Sequence, residues 1–209
     1  MGFDEDRRQM VKTQIMRRGL LEPCLLAAFE RVPRHLFVPE SERHLAYADG
    51  PLPIGFGQTI SQPFIVALMT DLLNLKGEER VLEVGTGSGY QAAILSHLAK
   101  EVHTIEFVPQ LAARAKKLLA EYPNVHCHTG DGSLGWPEAA PYEGIIVTAA
   151  APNAPRALLD QLKDMGRLVI PVGGTGYQVL QLWTKRGDEF DCREEVGVAF
   201  VPLRGKHGW

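Results

Sequence analysis

Three glycines at alternate positions, Gly85, Gly87 and Gly89, follow the apolar run Val81-Leu82-Glu83-Val84, with Thr86 and Ser88 between them. A buried strand running into such a turn and then a helix exposes backbone that a Cβ would shield from a ligand. The dinucleotide fingerprint is G-x-G-x-x-G, with a helix N-terminus turned toward a pyrophosphate. Here the spacing is G-x-G-x-G, with Glu83 inside the strand end and Glu106 further along. Two carboxylates around the loop suit a cationic, ribose-bearing cofactor better than a phosphate-bearing one. That chemistry points to S-adenosylmethionine.

Ligands of open α/β sheets sit outside the carboxyl ends of the strands, and three more features fall there in order. Glu106 lies 21 residues beyond Gly85 and closes the next strand, where a carboxylate can accept from both ribose hydroxyls. Gly130-Asp131-Gly132 closes the third strand, placing an aspartate to accept from an adenine amino group. Thr148-Ala149-Ala150 closes the fourth, near the reacting centre. Each signal is weak singly; four in sequence are specific.

The elements that must position these residues alternate from Val81 onward. Strands are expected at Val81–Val84, Glu101–Ile105, Val125–Thr129, Gly144–Thr148 and Arg167–Pro171. Helices are expected at Gln91–Leu98, from Pro109 to about Glu121, and at Pro155–Leu162. Val179–Thr184 and Glu194–Val201 read as a two-stranded ending. The fold class is therefore α/β: a Rossmann-like S-adenosylmethionine-dependent methyltransferase fold. It predicts a doubly wound, mostly parallel sheet with an N-terminal helical extension and antiparallel C-terminal strands. The extension, residues 1–75, holds helices over Asp6–Arg18 and Pro23–Val32 and a Pro/Gly-rich segment from Ala48 to Phe64. That segment is too long for a simple connector and is a candidate substrate loop. Residues 76–209 form the cofactor-binding core, the two parts making one structural unit.

Composition sets the class of partner. A chain of 209 residues that is 45% apolar and 22% charged suits a single globular unit. Its net charge of −3, with both signs interleaved, lacks the basic stripe of a duplex-binding protein. Cys24, Cys127 and Cys192 are far apart and form no C-x-x-C pair, as expected of free thiols in a cytoplasmic protein. No apolar signal core or stretch of 18 apolar residues is present, so no membrane association is expected.

The chain resembles the protein-L-isoaspartate O-methyltransferase family along nearly its whole length. The resemblance runs through Val32-Pro33-Arg34, Phe37-Val38-Pro39, Pro51–Gly55 and Gly57-Gln58-Thr59-Ile60-Ser61-Gln62-Pro63. It continues through Val81–Tyr90, Gly130-Asp131-Gly132, Ile145–Ala150, Leu168–Gly173 and Phe200-Val201-Pro202-Leu203. The glycine loop identifies only the methyltransferase superfamily; Gln58–Pro63 is specific to this family. The resemblance implies methyl transfer from S-adenosyl-L-methionine to the free α-carboxylate of an isoaspartyl residue in damaged proteins and peptides. S-adenosyl-L-homocysteine is the other product, and the ester collapses to a succinimide. A carboxylate with a pKa of about 4 is ionised at neutral pH, so no general base is needed. What remains is alignment, exclusion of water and a fixed orientation for one oxygen.

The resemblance assigns that orientation to Ser61, with Thr59, Ile60 and Gln62 beside it and Val201 and Leu203 offering backbone to the peptide. The residues by themselves also allow Ser61 to be the N-cap of a helix starting at Pro63. Cofactor residues are Glu83, Gly85, Thr86, Gly87, Ser88, Gly89, Glu106, Asp131, Gly132 and Thr148. The chain departs from the family at Glu143-Gly144, where Asp-Ala is frequent, and at Met165-Gly166, where paired glycines are usual. No metal is expected: His126 and His128 share one face of a strand and Cys127 points opposite, so the three cannot hold one ion. A monomer without nucleic-acid partners is expected. Two other readings are weighed: a methyltransferase for a small acid or a nucleic acid, and a cofactor-binding module without catalysis. Gln58–Pro63 and the missing Asn/Asp-Pro-Pro-Tyr/Phe run oppose the first; intact Ser61, Glu106 and Asp131 oppose the second.

Overall fold

A computed structural model describes residues 2–209. The chain opens with α1 (Phe3–Met10), whose first turn carries Asp4, Glu5 and Asp6, with Arg7 and Arg8 behind them, the order the helix dipole favours. Helical backbone continues through a wider-turned stretch, Val11–Ile15, and a tighter one, Met16–Arg18, to Gly19 at φ 90°. The helix expected over Asp6–Arg18 thus starts earlier and changes pitch twice. Next, α2 (Pro23–Arg31) has proline in its first turn and the Glu22 carboxylate accepting from the Leu25 N–H. The long Ala48–Phe64 segment contains an antiparallel hairpin, β1 (Leu52–Gly55) with β2 (Gln58–Ile60). Its tip, Gly55-Phe56-Gly57, takes three successive positive φ values, 91°, 55° and 70°. Helix α3 (Pro63–Leu73) follows at once.

The core then runs β3 (Arg80–Val84), α4 (Tyr90–Ser96), β4 (Glu101–Glu106), α5 (Pro109–Leu119), β5 (Val125–Thr129) and β6 (Tyr142–Val147). It ends with α6 (Arg156–Asp160), β7 (Leu162–Gly174), β8 (Tyr177–Arg186) and β9 (Glu189–Val198). These seven strands form one sheet in the order β5-β4-β3-β6-β7-β8-β9. β3 to β7 are mutually parallel, whereas β8 and β9 are antiparallel additions. Strand order reverses between β3 and β6, which creates the crevice where such folds bind ligands.

Several boundaries differ from the sequence expectation by a few residues, two of them for clear local reasons. The helix expected to reach Leu162 stops at Asp160, because Leu162 already pairs with Tyr142 across a bulge. Met165 there takes φ 63°, a left-handed conformation at a position where the related family usually has glycine. The last strand ends at Val198 rather than Val201, because the Phe200 N–H turns to Gln178 Oε1 at 2.7 Å. Val201–Leu203 instead lies along Ala150.

Alternation along the strands builds a core on each face. Val81, Val102, Ile146 and Val169 pack with Met69, Leu72 and Leu73 of α3. Leu82, Ile145, Val147, Leu168 and Ile170 pack with Leu158 and Leu159 of α6. The N-terminal helices share a third cluster with α4 and α5, in which Phe29, Val32, Ile54 and Ile60 meet Tyr90, Ile94, Leu111 and Ala115. The hairpin is thereby held over the carboxyl ends of β3 and β4.

Candidate functional site

At the crevice between β3 and β6 lies an open cleft of about 840 Å³. The glycine loop forms its floor. Gly85 has φ 96°, and a Cβ there would stand 2.5 Å from Thr148 Oγ1, so both backbone and space demand glycine. The Thr148 hydroxyl donates to the Gly85 carbonyl and binds the end of β6 to the loop. Gly132 is equally confined, since a Cβ would meet Val84 Cγ1 at 2.7 Å.

The loop amides point to the protein. The Gly85 and Thr86 N–H groups donate to the Ile105 carbonyl, Gly87 donates to Glu106 Oε2 at 2.7 Å, and Gly89 donates to the Thr86 carbonyl. A phosphate cradle would aim such amides at its ligand. This loop therefore suits a ligand without phosphate, as its G-x-G-x-G spacing implied. Ser88 Oγ accepts from the Tyr90 N–H, and Thr86 Oγ1 lies 2.6 Å from Thr104 Oγ1, so both hydroxyls are engaged locally.

The two carboxylates differ in kind. Glu106 accepts from the Gly87 and Val108 N–H groups, one on each oxygen, and each oxygen keeps a lone pair for a hydroxyl at the cleft wall. Glu83 is fully buried. Its Oε2 accepts from the Thr104 hydroxyl at 2.6 Å, while its Oε1 has no partner among the described residues. Burial pushes its pKa up to about 8; the Thr104 bond opposes this and the Glu106 charge adds to it. An orphaned buried carboxylate oxygen on a ligand cleft calls for a donor or a cation. The ammonium and sulfonium of S-adenosylmethionine fit that demand, and the Glu106 lone pairs fit ribose hydroxyls.

The opposite wall comes from β2 and the turn into α3, where Gln58, Thr59, Ile60 and Ser61 line the cleft. Ser61 does not cap α3. The N-cap is Gln62, whose side chain makes no cap bond and donates instead to Asp49 Oδ1 at 2.7 Å. Gln62, expected at the substrate wall, is thus outside the cleft lining because Asp49 holds its amide. Among the described residues, no hydrogen bond holds the Ser61 hydroxyl. Its backbone is fixed from behind by Arg34, a wholly buried arginine that donates through Nη2 to the Ser61 carbonyl and through Nε to the Ala46 carbonyl, each at 2.8 Å. Burial lowers the Arg34 pKa to about 10, still far above neutrality, and the guanidinium lies 5.0 Å from the Tyr90 ring centroid.

The C-terminal segment closes the third side. Val201, Pro202, Leu203 and Arg204 line the cleft. The Val201 carbonyl and Leu203 N–H pair with Ala150, and the Leu203 carbonyl accepts from the Trp209 N–H. Among the described residues, the Val201 N–H and Pro202 carbonyl make no hydrogen bond.

Two expected cofactor residues stand outside the cleft lining. Asp131 Oδ1 accepts from the Ser133 N–H and hydroxyl, and its Oδ2 accepts from the Lys206 N–H. Burial pushes its carboxyl up, but these bonds, led by the Ser133 hydroxyl, and the nearby His207 outweigh it and leave the pKa lowered. Gly89, at φ 91°, instead seats α4 on α5, where a Cβ would meet Leu119 at 3.3 Å. Arg34, Met69, Tyr90, Gln91 and Phe107 belong to the site or its support without having been assigned a binding or positioning role from sequence. For Arg34 the signal was charge within the apolar stretch Val32–Val38.

Residues 5–208 match the family model described as protein-L-isoaspartate(D-aspartate) O-methyltransferase. A Dictyoglomus thermophilum protein named protein-L-isoaspartate O-methyltransferase is 51% identical, over 99% of this chain and 94% of its own length. A Trichlorobacter lovleyi protein of the same name is 53% identical, over 100% and 98%. A solved structure named protein-L-isoaspartate O-methyltransferase superposes with a TM-score of 0.87 at 27% identity, covering 96% of this chain and 66% of its own. A Plasmodium falciparum structure assigned to the same class, in complex with S-adenosyl-L-homocysteine, gives 0.81 at 25% identity, covering 95% and 98%.

Proposed function

Since the chain belongs to the protein-L-isoaspartate(D-aspartate) O-methyltransferase family, we propose how its residues divide the methyl transfer between a donor side and an acceptor side. The activity is transfer of a methyl group from S-adenosylmethionine to the free α-carboxylate of isoaspartyl residues in damaged proteins. When bound, S-adenosylmethionine supplies an electrophilic methyl on a positive sulfur that leaves as a neutral thioether.

On the donor side, Glu106 accepts from the ribose hydroxyls, Glu83 answers the positive charge, and Gly85, Gly87 and Thr148 keep the floor low enough for close approach. Thr86 and Ser88 support this loop, the former through Thr104 and the latter under the Tyr90 N–H. Gly132 closes the adenine end beside Val84 and Ile105. Asp131 holds Ser133 and the C-terminal tail in place, and its Oδ2, which accepts only from the Lys206 N–H, keeps a lone pair for the adenine amino group.

On the acceptor side, the Ser61 hydroxyl donates to one oxygen of the substrate carboxylate and leaves the other free to attack. Thr59, Ile60, Val201 and Leu203 form the walls, and the free Val201 N–H and Pro202 carbonyl read peptide backbone. The apolar walls at Ile60, Met69 and Leu203 exclude water and solvate an isolated carboxylate charge poorly, which would favour its neutralisation on methylation. The observation carrying this reading is the Ser61 hydroxyl on the cleft wall, without a protein partner and with its backbone fixed by buried Arg34.

Ser61→Ala tests it. Losing one hydrogen bond to a charged acceptor is worth about 1.5–3 kcal/mol, so turnover on an isoaspartyl peptide falls about 10- to 150-fold. Donor affinity, measured by calorimetry, stays within about twofold. A loss confined to donor binding would remove Ser61 from the acceptor side.

The part before residue 75 supplies the Thr59–Ser61 wall of the acceptor side, and the part after it holds the donor and adds the Val201–Leu203 wall, the two sharing one core. We place the enzyme in the cytoplasm, acting as a monomer and without nucleic-acid or membrane partners. The support is a net charge of −3, three free cysteines and the absence of any helix long and apolar enough to cross a membrane among the described residues.

A further inference from the structure

Away from the cleft, β4 and β5 bring four potential ligands onto one face of the sheet. Glu101 and His103 alternate on β4, His126 and His128 alternate on β5, and His103 pairs in register with His126. Cys127 turns to the other face, against the cluster shared by the N-terminal helices and α5. Its spacing with His126 and His128 argues against a metal, but the neighbouring strand supplies ligands that spacing within one strand does not show.

We propose that Glu101, His103 and His126 form a binding site for one divalent transition-metal ion, with zinc(II) the best match. Glu101 Oε1 is 3.1 Å from His103 Nε2 and 3.4 Å from His126 Nε2, and all three ligand atoms lie within 4.8 Å of one another. Corners of a tetrahedron about 2.0–2.1 Å from zinc stand about 3.3 Å apart, so small rotations of the His126 ring close the set. Two imidazoles and one carboxylate suit zinc better than calcium or magnesium, which prefer oxygen. Three protein ligands leave the fourth position to water.

The surroundings orient the set. Arg80 Nε donates to Glu101 Oε2 at 2.6 Å, which turns Oε1 toward the rings. Its positive charge also makes the imidazoles, rather than charge attraction, the principal source of affinity. His103 Nδ1 lies 3.0 Å from His128 Nε2, and the His128 ring stacks on Trp136 at 3.9 Å between centroids. An Nδ1–H donated to His128 leaves the His103 Nε2 lone pair for the ion, the relay usual behind metal-bound histidine. Neutral imidazole is the ligating form. The His126 side chain is 47% exposed and gives the ion a way in.

Glu101 and His103 lie in the first half of β4 and Glu106 ends it, roughly 10–16 Å further along the strand, so the ion stands apart from the donor cleft and acts on stability. It ties β4 to β5, the strand at the edge of the sheet.

The test is calorimetric titration of zinc into untagged, chelator-stripped protein, with cobalt(II) absorption as a second reading. One zinc per chain should bind with a dissociation constant of about 10 μM or tighter and raise Tm. His126→Ala, at an exposed position, should weaken binding at least about 100-fold and remove the Tm shift. His128→Ala should weaken it about 10- to 100-fold while keeping the stoichiometry. Cobalt should give the absorption of a four-coordinate nitrogen and oxygen site without a thiolate charge-transfer band. No zinc bound at 100 μM, affinity unchanged in His126→Ala, or a thiolate band placing the ion on a cysteine would each overturn the proposal.

Discussion

Glu83→Gln probes the buried carboxylate at the centre of the donor site. Glu83 has a pKa of about 8 in the fold, against 4.5 for the free side chain. The folded state holds this proton more tightly, so the stabilising effect of protonation is complete below pH 4.5 and is lost as pH rises toward 8. Within that window the slope approaches RT ln 10 for each pH unit, so the ligand-free protein loses roughly 2–3 kcal/mol between pH 5 and pH 7 through this group. For a chain of this length that corresponds to about 5–10 °C in Tm. Other titrating groups add their own slopes, which cancel in the difference between the native chain and the variant. Urea unfolding of both proteins at pH 5, 6, 7 and 8 measures that difference, and Glu83→Gln should gain on the native chain at each step up to pH 8. Saturating S-adenosylmethionine should flatten the native slope, because a bound cation keeps Glu83 ionised. Curves that stay parallel from pH 5 to pH 8 would refute the buried-carboxylate reasoning.

Glu106→Ala removes the acceptor assigned to the ribose, and donor affinity should fall by about 1.5–3 kcal/mol, read by calorimetry; an unchanged dissociation constant would move the ribose contact elsewhere. Arg34→Lys cannot serve both the Ala46 and Ser61 carbonyls, and should lower stability by about 1–3 kcal/mol through the carbonyl left unpaired. Because Arg34 acts through Ser61, the same variant should lower kcat on an isoaspartyl peptide while donor affinity stays within about twofold. Equal losses in both would make Arg34 a purely structural residue.

The donor half of the site was legible because its constraints are local. A G-x-G-x-G turn after an apolar strand fixes where the loop lies, and strand ends in an α/β sheet fix which acids approach it. The contacts that hold three features in place were not legible, because several of them join residues distant in the chain. Asp131 looks available in sequence, but its carboxylate is held by Ser133 and by Lys206, 75 residues away. Ser61 satisfies the local rule for a helix cap, yet Gln62 takes that position while Arg34 fixes the Ser61 carbonyl across 27 residues. His126 and His128 gain their neighbours only through β4 pairing, which no spacing within β5 reveals. In the fold, the strand expected to end at Val201 ends three residues sooner, because the Gln178 side chain competes for the Phe200 amide.

A cleft that joins a methyl donor to the α-carboxylate of isoaspartate must distinguish that residue from ordinary aspartate. The direct measurement uses labelled S-adenosylmethionine and two peptides of identical sequence, one carrying isoaspartate and the other aspartate, and counts base-labile methyl groups. Label should appear on the isoaspartyl peptide alone. Equal label on both peptides, or none on either while the donor remains bound, would contradict it.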